Sequence, residues 1–514
     1  MTSITIYDGN NTIGGNKIYV EQNGEGVFLD FGTNFSKFDN FYKWPKGPRS
    51  HRGIYDYWML NLIPHLNIYR KDLIPSDLDI TGAPQLDIKA VLLSHVHSDH
   101  FGNIGLLEES IPVIASTTTL ALLKGIQDTV TQNIGSEVIY TNRRRPDPSD
   151  PRVLFSGKRY GRSLITTEEC NEKVKEFFWQ RSRKTSEIEE GSVQHLQEYM
   201  PQLPFTVQAF ETDHSVYGSL AYILEGDRSI AYTGDIRLHG KNKQKSIDFV
   251  KKHATGCDVL IIEGTRLTGE NIFDSEDFVY DFCYRAVDMA EGLVIADFTS
   301  RNLERLELFK KVAADTGREL IITVKDAYLL YVLELVDGID YLHDVNVYQR
   351  FMTKPPYWEE EILRKKKDPN YITPKEINTT PDNYIICFSS YNIENFLDII
   401  PKKGIYIYSS TGVFKAEQEF DFVRLNKWLY FSGIPGEGII PKGFRIETID
   451  GTDTPVFTRG FHASGHASED ELFWMINKID PEIIIPVHTE YPSWFAENFG
   501  DRVKLLKKGE KLVI

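Results

Sequence analysis

The sequence predicts a layered α/β protein with a second, parallel-sheet α/β domain set into the first. Three observations carry this. Short apolar runs that read as strands end repeatedly in a polar ligand type: Val91-Leu92-Leu93 before His95, Ala209-Phe210 before His214, Ala231-Tyr232 before Asp235, Ile261-Ile262 before Glu263, and Ile484-Ile485 before His488. Residues 267–455 alternate helical and extended patterns and carry no such clusters. Finally, 514 residues exceed what one ordinary core accommodates.

Composition bounds the function classes. Hydrophobic content of 41% and charged content of 26% are those of a soluble globular protein. Met1-Thr2-Ser3-Ile4-Thr5-Ile6-Tyr7-Asp8 has neither the basic region nor the apolar stretch of a signal peptide. No run approaches the roughly 18 apolar residues of a membrane span. Cys170, Cys257, Cys283 and Cys387 lie far apart, with no Cys-x-x-Cys, and read as thiols of a reducing compartment, with the cytoplasm as default. A net charge of −16 argues against a broad electrostatic surface for nucleic acid. A polyanion would have to be gripped locally, by cations and a few Lys or Arg, and composition alone tilts toward a small substrate.

Taken in order, the opening alternates apolar and polar residues around Gly and Asn turns, which predicts an antiparallel meander ending in Gly26-Val27-Phe28-Leu29-Asp30. Asp30 fits either a carboxylate that orients a metal-bound histidine or a simple turn residue. Residues 35–86 mix Phe35, Phe38, Phe41, Tyr42, Trp44, Tyr55, Tyr57 and Trp58 with Lys37, Lys43, Lys46, Arg49 and Arg52. Base stacking would suit such a mixture, but a packed insertion or subunit contact is the plainer account. A strand over 111–115 and a helix over 117–127 continue the layering. Asn142-Arg143-Arg144-Arg145-Pro146-Asp147-Pro148 reads as a loop with a solvated Arg run, and 168–190 has helical spacing around Val174, Phe177, Phe178 and Ile188.

The chemistry centres on His95-Val96-His97-Ser98-Asp99-His100. Three imidazoles and a carboxylate so close together suit a divalent cation such as zinc or manganese. His-x-His places two rings on one side of an extended segment, and Asp99-His100 turns toward a second position. His214 alone fits a ligand or a loop histidine. Asp235, after a Thr-Gly turn, can give one oxygen to each of two metals. Glu263 can orient or protonate a neighbouring histidine, or cap a helix. In 267–455, helices over 277–290, 302–314 and 328–335 alternate with strands over 293–296, 320–324, 384–388 and 405–408. Arg364-Lys365-Lys366-Lys367 reads as plain surface. Phe461-His462-Ala463-Ser464-Gly465-His466-Ala467-Ser468 opens a helix over 469–479, so its N–H groups would face an anion, with His466 beside them as a donor. His488, at a strand end, would complete a second metal's ligands.

In this order, these residues resemble the metallo-β-lactamase superfamily, specifically its β-CASP branch of nucleic-acid-processing enzymes. Asp30 matches the first motif, His95, His97, Asp99 and His100 the second, His214 and Asp235 the third and fourth. Glu263, His466 and His488 match the motifs that mark the branch. Ile13-Gly14-Gly15-Asn16, Asp297-Phe298-Thr299-Ser300-Arg301-Asn302, Tyr408-Ser409-Ser410 and the 462–468 segment are most similar to ribonuclease J. The resemblance covers roughly residues 1–34, 87–130, 205–310 and 380–514.

It implies an αββα metallo-β-lactamase sandwich from residues 1–266 and 456–514, with insertions near 35–86 and 142–205, and a β-CASP domain inserted as 267–455. One of two divalent cations, zinc first and manganese second, would be held by His95, His97 and His214. The other would be held by Asp99, His100 and His488, with Asp235 bridging and Asp30 behind. The cations would acidify a water for in-line attack on a phosphodiester. Asp99, Glu263 and His466 are the implied catalytic residues, His466 stabilising or protonating the leaving oxygen with Glu263 in support. His462, Ser464, Gly465, Ser389 and Ser390 are the implied substrate contacts. A histidine at position 488 goes with RNA-acting members of the branch. The implied activity is hydrolysis of single-stranded RNA, 5′→3′ from an end with endonucleolytic cuts besides, in the cytoplasm, away from membranes, by a protein that could pair as a homodimer.

Three departures qualify this. The chain ends 514 − 488 = 26 residues after His488, so the C-terminal domain of bacterial ribonuclease J is expected to be absent, as in archaeal relatives. Ser389-Ser390-Tyr391-Asn392 replaces a Gly-rich loop near the 5′-phosphate pocket. The insertions at 35–86 and 142–205 have no counterpart. Rival readings are a metal-dependent hydrolase of small esters or phosphodiesters, a single-stranded DNA nuclease, and a binding protein with an idle site. The last expects lost ligands, and none is lost.

Overall fold

The strand Asp87–Leu92 shows how the ligand-bearing layers are made. Ala90 and Leu92 face the space between two sheets, whereas Val91 and the following Leu93 face outward, and all four are buried. Strands covered on both faces read as unbroken apolar runs, which is why this one ends so visibly at Ser94 and His95. The protein is described here from a computed structural model that covers all residues except 43–45, 131–132, 268–274, 299–300, 401–402, 411–421 and 432–437. Lys43, Trp44, Thr299 and Ser300 of the sequence motifs lie outside the described residues.

The first sheet begins with the expected meander, Thr2–Asp8, Lys17–Gln22 and Glu25–Leu29, antiparallel throughout. Asp87–Leu92, Val113–Ala115, Leu164–Thr166 and Val193–His195 follow in parallel on one side, and Lys511–Val513 closes the other edge. The second sheet runs Thr206–Glu211, Leu220–Glu225, Ser229–Tyr232, Val259–Ile262, Ile483–Pro486, with the last three mutually parallel. Ile4, Ile18, Val27 and Leu92 from one sheet meet Tyr222, Leu224, Ile230, Ile261 and Ile485 from the other in a shared core.

Helices cover both outer faces. Thr117–Thr129 starts where the Ser116 hydroxyl accepts from the Thr119 N–H. Glu469–Ile479 lays Leu472, Met475 and Ile476 on Leu260 and Ile262. This is the expected αββα layering.

The third sheet is parallel throughout: Tyr371–Ile372, Val345–Tyr348, Glu319–Ile322, Tyr384–Cys387, Val294–Asp297, Ile405–Tyr408, Ile440–Lys442. Helices Glu276–Asp288, Leu303–Asp315 and Val324–Asp337 lie close to their expected places. The last is secured by a Thr323/Asp326 capping box and a left-handed Gly338 at its end.

Elsewhere the structure corrects the sequence reading. The Arg run is a strand, Tyr140–Pro146, paired antiparallel with Leu154–Gly161. It lacks apolar alternation because ion pairs hold it: Arg144 to Glu137 at 2.8 Å and Arg143 to Glu109 at 2.7 Å. Within 168–190 only Glu172–Trp179 is helical, since the polar run after Trp179 offers no apolar stripe, and Ile188 lies in the short strand Ile188–Glu189. The aromatic insertion is packed, with Ile54, Tyr57, Leu66, Tyr69 and Leu73 buried in one cluster. In the 364–367 run, Arg364, Lys365 and Lys367 pair with Glu359, Glu361 and Glu334. Among the described residues no helix is long and apolar enough to cross a membrane.

Candidate metal centre

Parallel strands share one carboxyl edge, and the candidate ligands lie just beyond it. Asp30 follows Glu25–Leu29, His95 follows Asp87–Leu92, Asp235 follows Ser229–Tyr232, Glu263 follows Val259–Ile262 and His488 follows Ile483–Pro486. The turns are sharp: Asp30, Gly234 and His488 have φ of +57°, +55° and +51°. For Asp30 and His488 this is a sparsely populated conformation, which tertiary contacts must hold in place. Gly14, at φ +75°, crosses so near Asp99 that a Cβ would stand 2.7 Å from its Oδ2.

Two ligand clusters share Asp235. His95 Nε2 lies 3.0 Å from His97 Nδ1, which lies 3.2 Å from His214 Nε2. Asp235 Oδ2 stands 3.4 Å from His95 Nε2. Ligand atoms of a tetrahedral zinc, each about 2.0–2.1 Å from the metal, are about 3.3 Å apart, so these spacings suit one cation. On the other side, His488 Nε2 is 3.1 Å from Asp99 Oδ2, and His100 Nε2 is 3.7 Å from Asp99 Oδ2 and 3.1 Å from Asp235 Oδ2. Asp235 Oδ1 lies 3.8 Å from His488 Nε2. Both Asp235 oxygens and His100 Nε2 are buried without a hydrogen-bond partner, because His100 is near but not aligned for one. Buried polar atoms are otherwise almost always satisfied. Their orphaned state, in a set of imidazoles and carboxylates, fits metal ligation.

Surrounding groups fix which nitrogen each ring presents. Asp30, fully buried, accepts from His100 Nδ1 at 2.6 Å, Tyr232 Oη at 2.6 Å, Ser94 N at 2.7 Å and Ser94 Oγ at 2.8 Å. It is therefore an orienting carboxylate rather than a mere turn residue. His214 Nδ1 donates to the Gly465 carbonyl at 2.6 Å, and His488 Nδ1 lies 2.9 Å from Thr265 Oγ1. Each arrangement turns Nε2 toward the cluster. Glu263 takes the Ile236 N–H at 2.8 Å on one oxygen, and Thr265 Oγ1 at 2.5 Å and His466 Nδ1 at 2.9 Å on the other. Glu263 and His466 thus satisfy each other, although they lie close enough to Asp235 and His488 to form a ligand-like group.

Electrostatics differ across Asp235. Burial pushes His95 and His214 well below the ordinary imidazole range, and burial with the nearby Arg301 guanidinium holds His97 down to about 3. These rings are neutral at pH 7, as ligands must be. Burial opposes charge on His100 and His488 too, but the Asp235 and Asp99 carboxylates overcome it and raise both. Burial works against the ionised Asp99 and Asp235 carboxylates, but His100 leads the neighbouring histidines that lower both.

The structure thus brings together His95, His97, Asp99, His100, His214, Asp235, Glu263, His466 and His488. The residues expected from sequence to contact substrate are placed less simply. Gly465 approaches His214 so closely that a Cβ would meet its Cε1 at 2.9 Å. Ser464 accepts the His466 N–H on its hydroxyl, and His462 is half-buried on the same segment. Ser389 and Ser390 follow Tyr384–Cys387, the central strand of the seven-stranded sheet, and the Ser389 hydroxyl bonds Asn392. At the start of the helix after Ser468, a Ser468/Glu471 capping box takes the N–H groups of Ser468 and Glu471. Ser94, Tyr232 and Thr265 were missed from sequence; their signal is a polar residue beside a motif at a strand end.

Comparison with known proteins agrees with this geometry. Residues 62–154 match the model of the metallo-β-lactamase superfamily, and residues 459–505 match that of the Zn-dependent metallo-hydrolase RNA specificity domain. The chain is 20% identical to ribonuclease J 2 of Streptococcus pyogenes over 461 residues, 86% of this chain and 68% of that one. It is 21% identical to ribonuclease J of Pyrococcus abyssi over 506 residues, 96% of this chain and 90% of the other. It is also 21% identical to ribonuclease J2 of Bacillus subtilis over 439 residues, 82% and 64% of the two chains. A crystal structure of an Enterococcus faecalis protein of unknown function aligns over 100% of both chains with a TM-score of 0.65 and 21% identity, which bears on fold alone. The chain is thus similar to the metallo-β-lactamase superfamily and the metallo-hydrolase RNA specificity domain in two segments, and to ribonuclease J proteins over most of its length.

Proposed function

We propose that this protein is a metal-dependent ribonuclease that hydrolyses phosphodiester bonds of single-stranded RNA, working 5′→3′ from an end and cutting internally as well. The observation that carries this is the group His95, His97, His214 and the orphaned Asp235 next to the group Asp99, His100 and His488, with Asp235 3.1 Å from His100 and 3.8 Å from His488 and the hydrogen-bonded Glu263–His466 pair beside them. The match of residues 459–505 to an RNA specificity domain and the ribonuclease J relatives support RNA as substrate. Glu263 and His466 favour this reading over a small-ester hydrolase, since simple ester hydrolases of the superfamily need neither.

In this account His95, His97 and His214 would hold one divalent cation, zinc before manganese, and Asp99, His100 and His488 would hold a second, with Asp235 available to both. Cations so held supply Lewis acidity and a water acidified toward neutral pH. Asp30, Thr265 and the Gly465 carbonyl keep His100, His488 and His214 in the ligating tautomer. Glu263 holds the His466 ring through Nδ1, so His466 exchanges a proton with the leaving oxygen through Nε2. Residues 1–266 and 456–514 form the catalytic domain and 267–455 the β-CASP domain. Four free thiols suit the cytoplasm.

The test uses 5′-end-labelled single-stranded RNA and DNA, with Zn²⁺ or Mn²⁺, against wild type and His488→Ala. RNA cleavage abolished by the substitution supports the proposal; release of mononucleotides from 5′-monophosphate RNA marks the exonucleolytic mode. DNA cleavage alone, or ester turnover with RNA untouched, sinks it.

A further inference from the structure

His466 lies on a segment pinned at its main-chain carbonyls. The Gly465 carbonyl accepts from His214 at 2.6 Å. The Ser464 carbonyl accepts from Arg237 Nη1 and His239 Nε2, each at 3.0 Å. The Phe461 carbonyl accepts from Arg305 Nη1 at 3.2 Å and Ser409 Oγ at 2.5 Å. Donors from the sandwich and from the inserted region therefore hold one short stretch between them.

The two arginines are joined to each other. Arg237, two residues after Asp235 and fully buried, also reaches Asp213 Oδ1 at 3.4 Å, Glu276 Oε1 at 3.4 Å and Glu304 Oε2. Arg305, equally buried, grips both Glu276 oxygens at 3.0 Å and the Ser409 carbonyl at 2.6 Å. Glu276 thus bridges the guanidiniums. Glu276 and Glu304 occupy the first turns of helices Glu276–Asp288 and Leu303–Asp315, where the helix dipole favours negative charge. An apolar contact would have held these layers with less desolvation, whereas the charged network adds directional hydrogen bonds that fix the donors' positions.

Building on the ribonuclease reading, we propose that Arg237 and Arg305, bridged by Glu276 and with Glu304 held on Arg237, are positioning residues that set where His466 stands at the leaving oxygen. Moving the inserted region would move the network, and with it the His466 segment. The network touches no reacting atom; it acts through the Ser464 and Phe461 carbonyls.

Two substrates of different leaving group test this in the full, metal-loaded chain. RNA expels an alkoxide that needs a proton, whereas bis(p-nitrophenyl) phosphate expels a stable phenolate that does not. Glu304→Gln keeps the side-chain volume and one acceptor while removing the charge. The expected result is a kcat on RNA lowered roughly 10–100-fold, KM within about threefold, unchanged metal per chain, and bis(p-nitrophenyl) phosphate turnover lowered less than about threefold. Arg305→Lys is the second variant, should Glu304→Gln fold poorly by circular dichroism. Equal losses on both substrates, or a lower Tm with kcat on RNA unchanged, overturn the proposal. Wild type that cuts bis(p-nitrophenyl) phosphate but no RNA overturns the ribonuclease reading first, and this inference with it.

Discussion

Asp235 and Asp297 are the same residue type at the carboxyl edge of parallel strands, one in the sandwich and one in the seven-stranded sheet, yet their surroundings drive them apart. Burial acts against charge on both. At Asp235 His100, His488 and His466 more than offset it, and the carboxyl is held well below its ordinary value. At Asp297 only the Tyr406 hydroxyl and the Ser390 N–H counter burial, and the carboxyl is pushed up to about 7. Equivalent strand edges therefore do different work. The sandwich edge gathers the candidate metal ligands, while among the described residues the inserted sheet contributes no such cluster. It supplies Glu276, Glu304 and Arg305, whose hydrogen bonds reach Arg237 and the Phe461 carbonyl.

Four substitutions probe that contrast, from the largest effect to the smallest. Asp235→Ala should lower kcat on RNA by more than about 10³-fold and reduce bound metal, counted by mass spectrometry, to at most one per chain, because both clusters lose their shared oxygen. Full metal content with near-normal turnover would contradict the sharing. His466→Ala should lower kcat by about 10²–10⁴-fold with metal content intact, read from steady-state kinetics on labelled RNA. Loss of metal instead would place His466 among the ligands. Asp30→Ala should weaken metal binding by roughly 10–100-fold in chelator competition, since His100 loses its orienting partner.

How much of this was legible beforehand follows from what each residue does. The residues that cluster as candidate ligands announced themselves, because His, Asp and Glu at the ends of apolar strands have no place in a core. Strands such as Asp87–Leu92 were equally plain, being buried on both faces. Tyr140–Pro146 was not, because ion pairs rather than apolar alternation hold it. Asp30 stayed ambiguous until its four donors were seen, since a turn aspartate has the same local sequence. Arg237 was invisible: its partners Glu276, Glu304 and Ser464 are remote in sequence, and a single arginine after Asp235 carries no pattern.

The smallest expected effect concerns Asp297. Its folded value of about 7 lies above the ordinary carboxyl value of 3.8, so its protonated form stabilises the fold. That contribution is full below 3.8 and is lost as pH rises through about 7. Asp297→Asn should therefore match wild type at pH 3.5 and exceed it in Tm by roughly 2–4 °C at pH 8.5. A lower Tm at pH 8.5 would mean that the ionised carboxylate is needed.

The proposed sharing of Asp235 between two cations is tested most directly by anomalous scattering from crystals loaded with Zn²⁺ or Mn²⁺. Two peaks about 3.5–4 Å apart, one among His95, His97 and His214 and the other among Asp99, His100 and His488, are the predicted result. A single peak at full metal loading, or peaks lying away from Asp235, would contradict it.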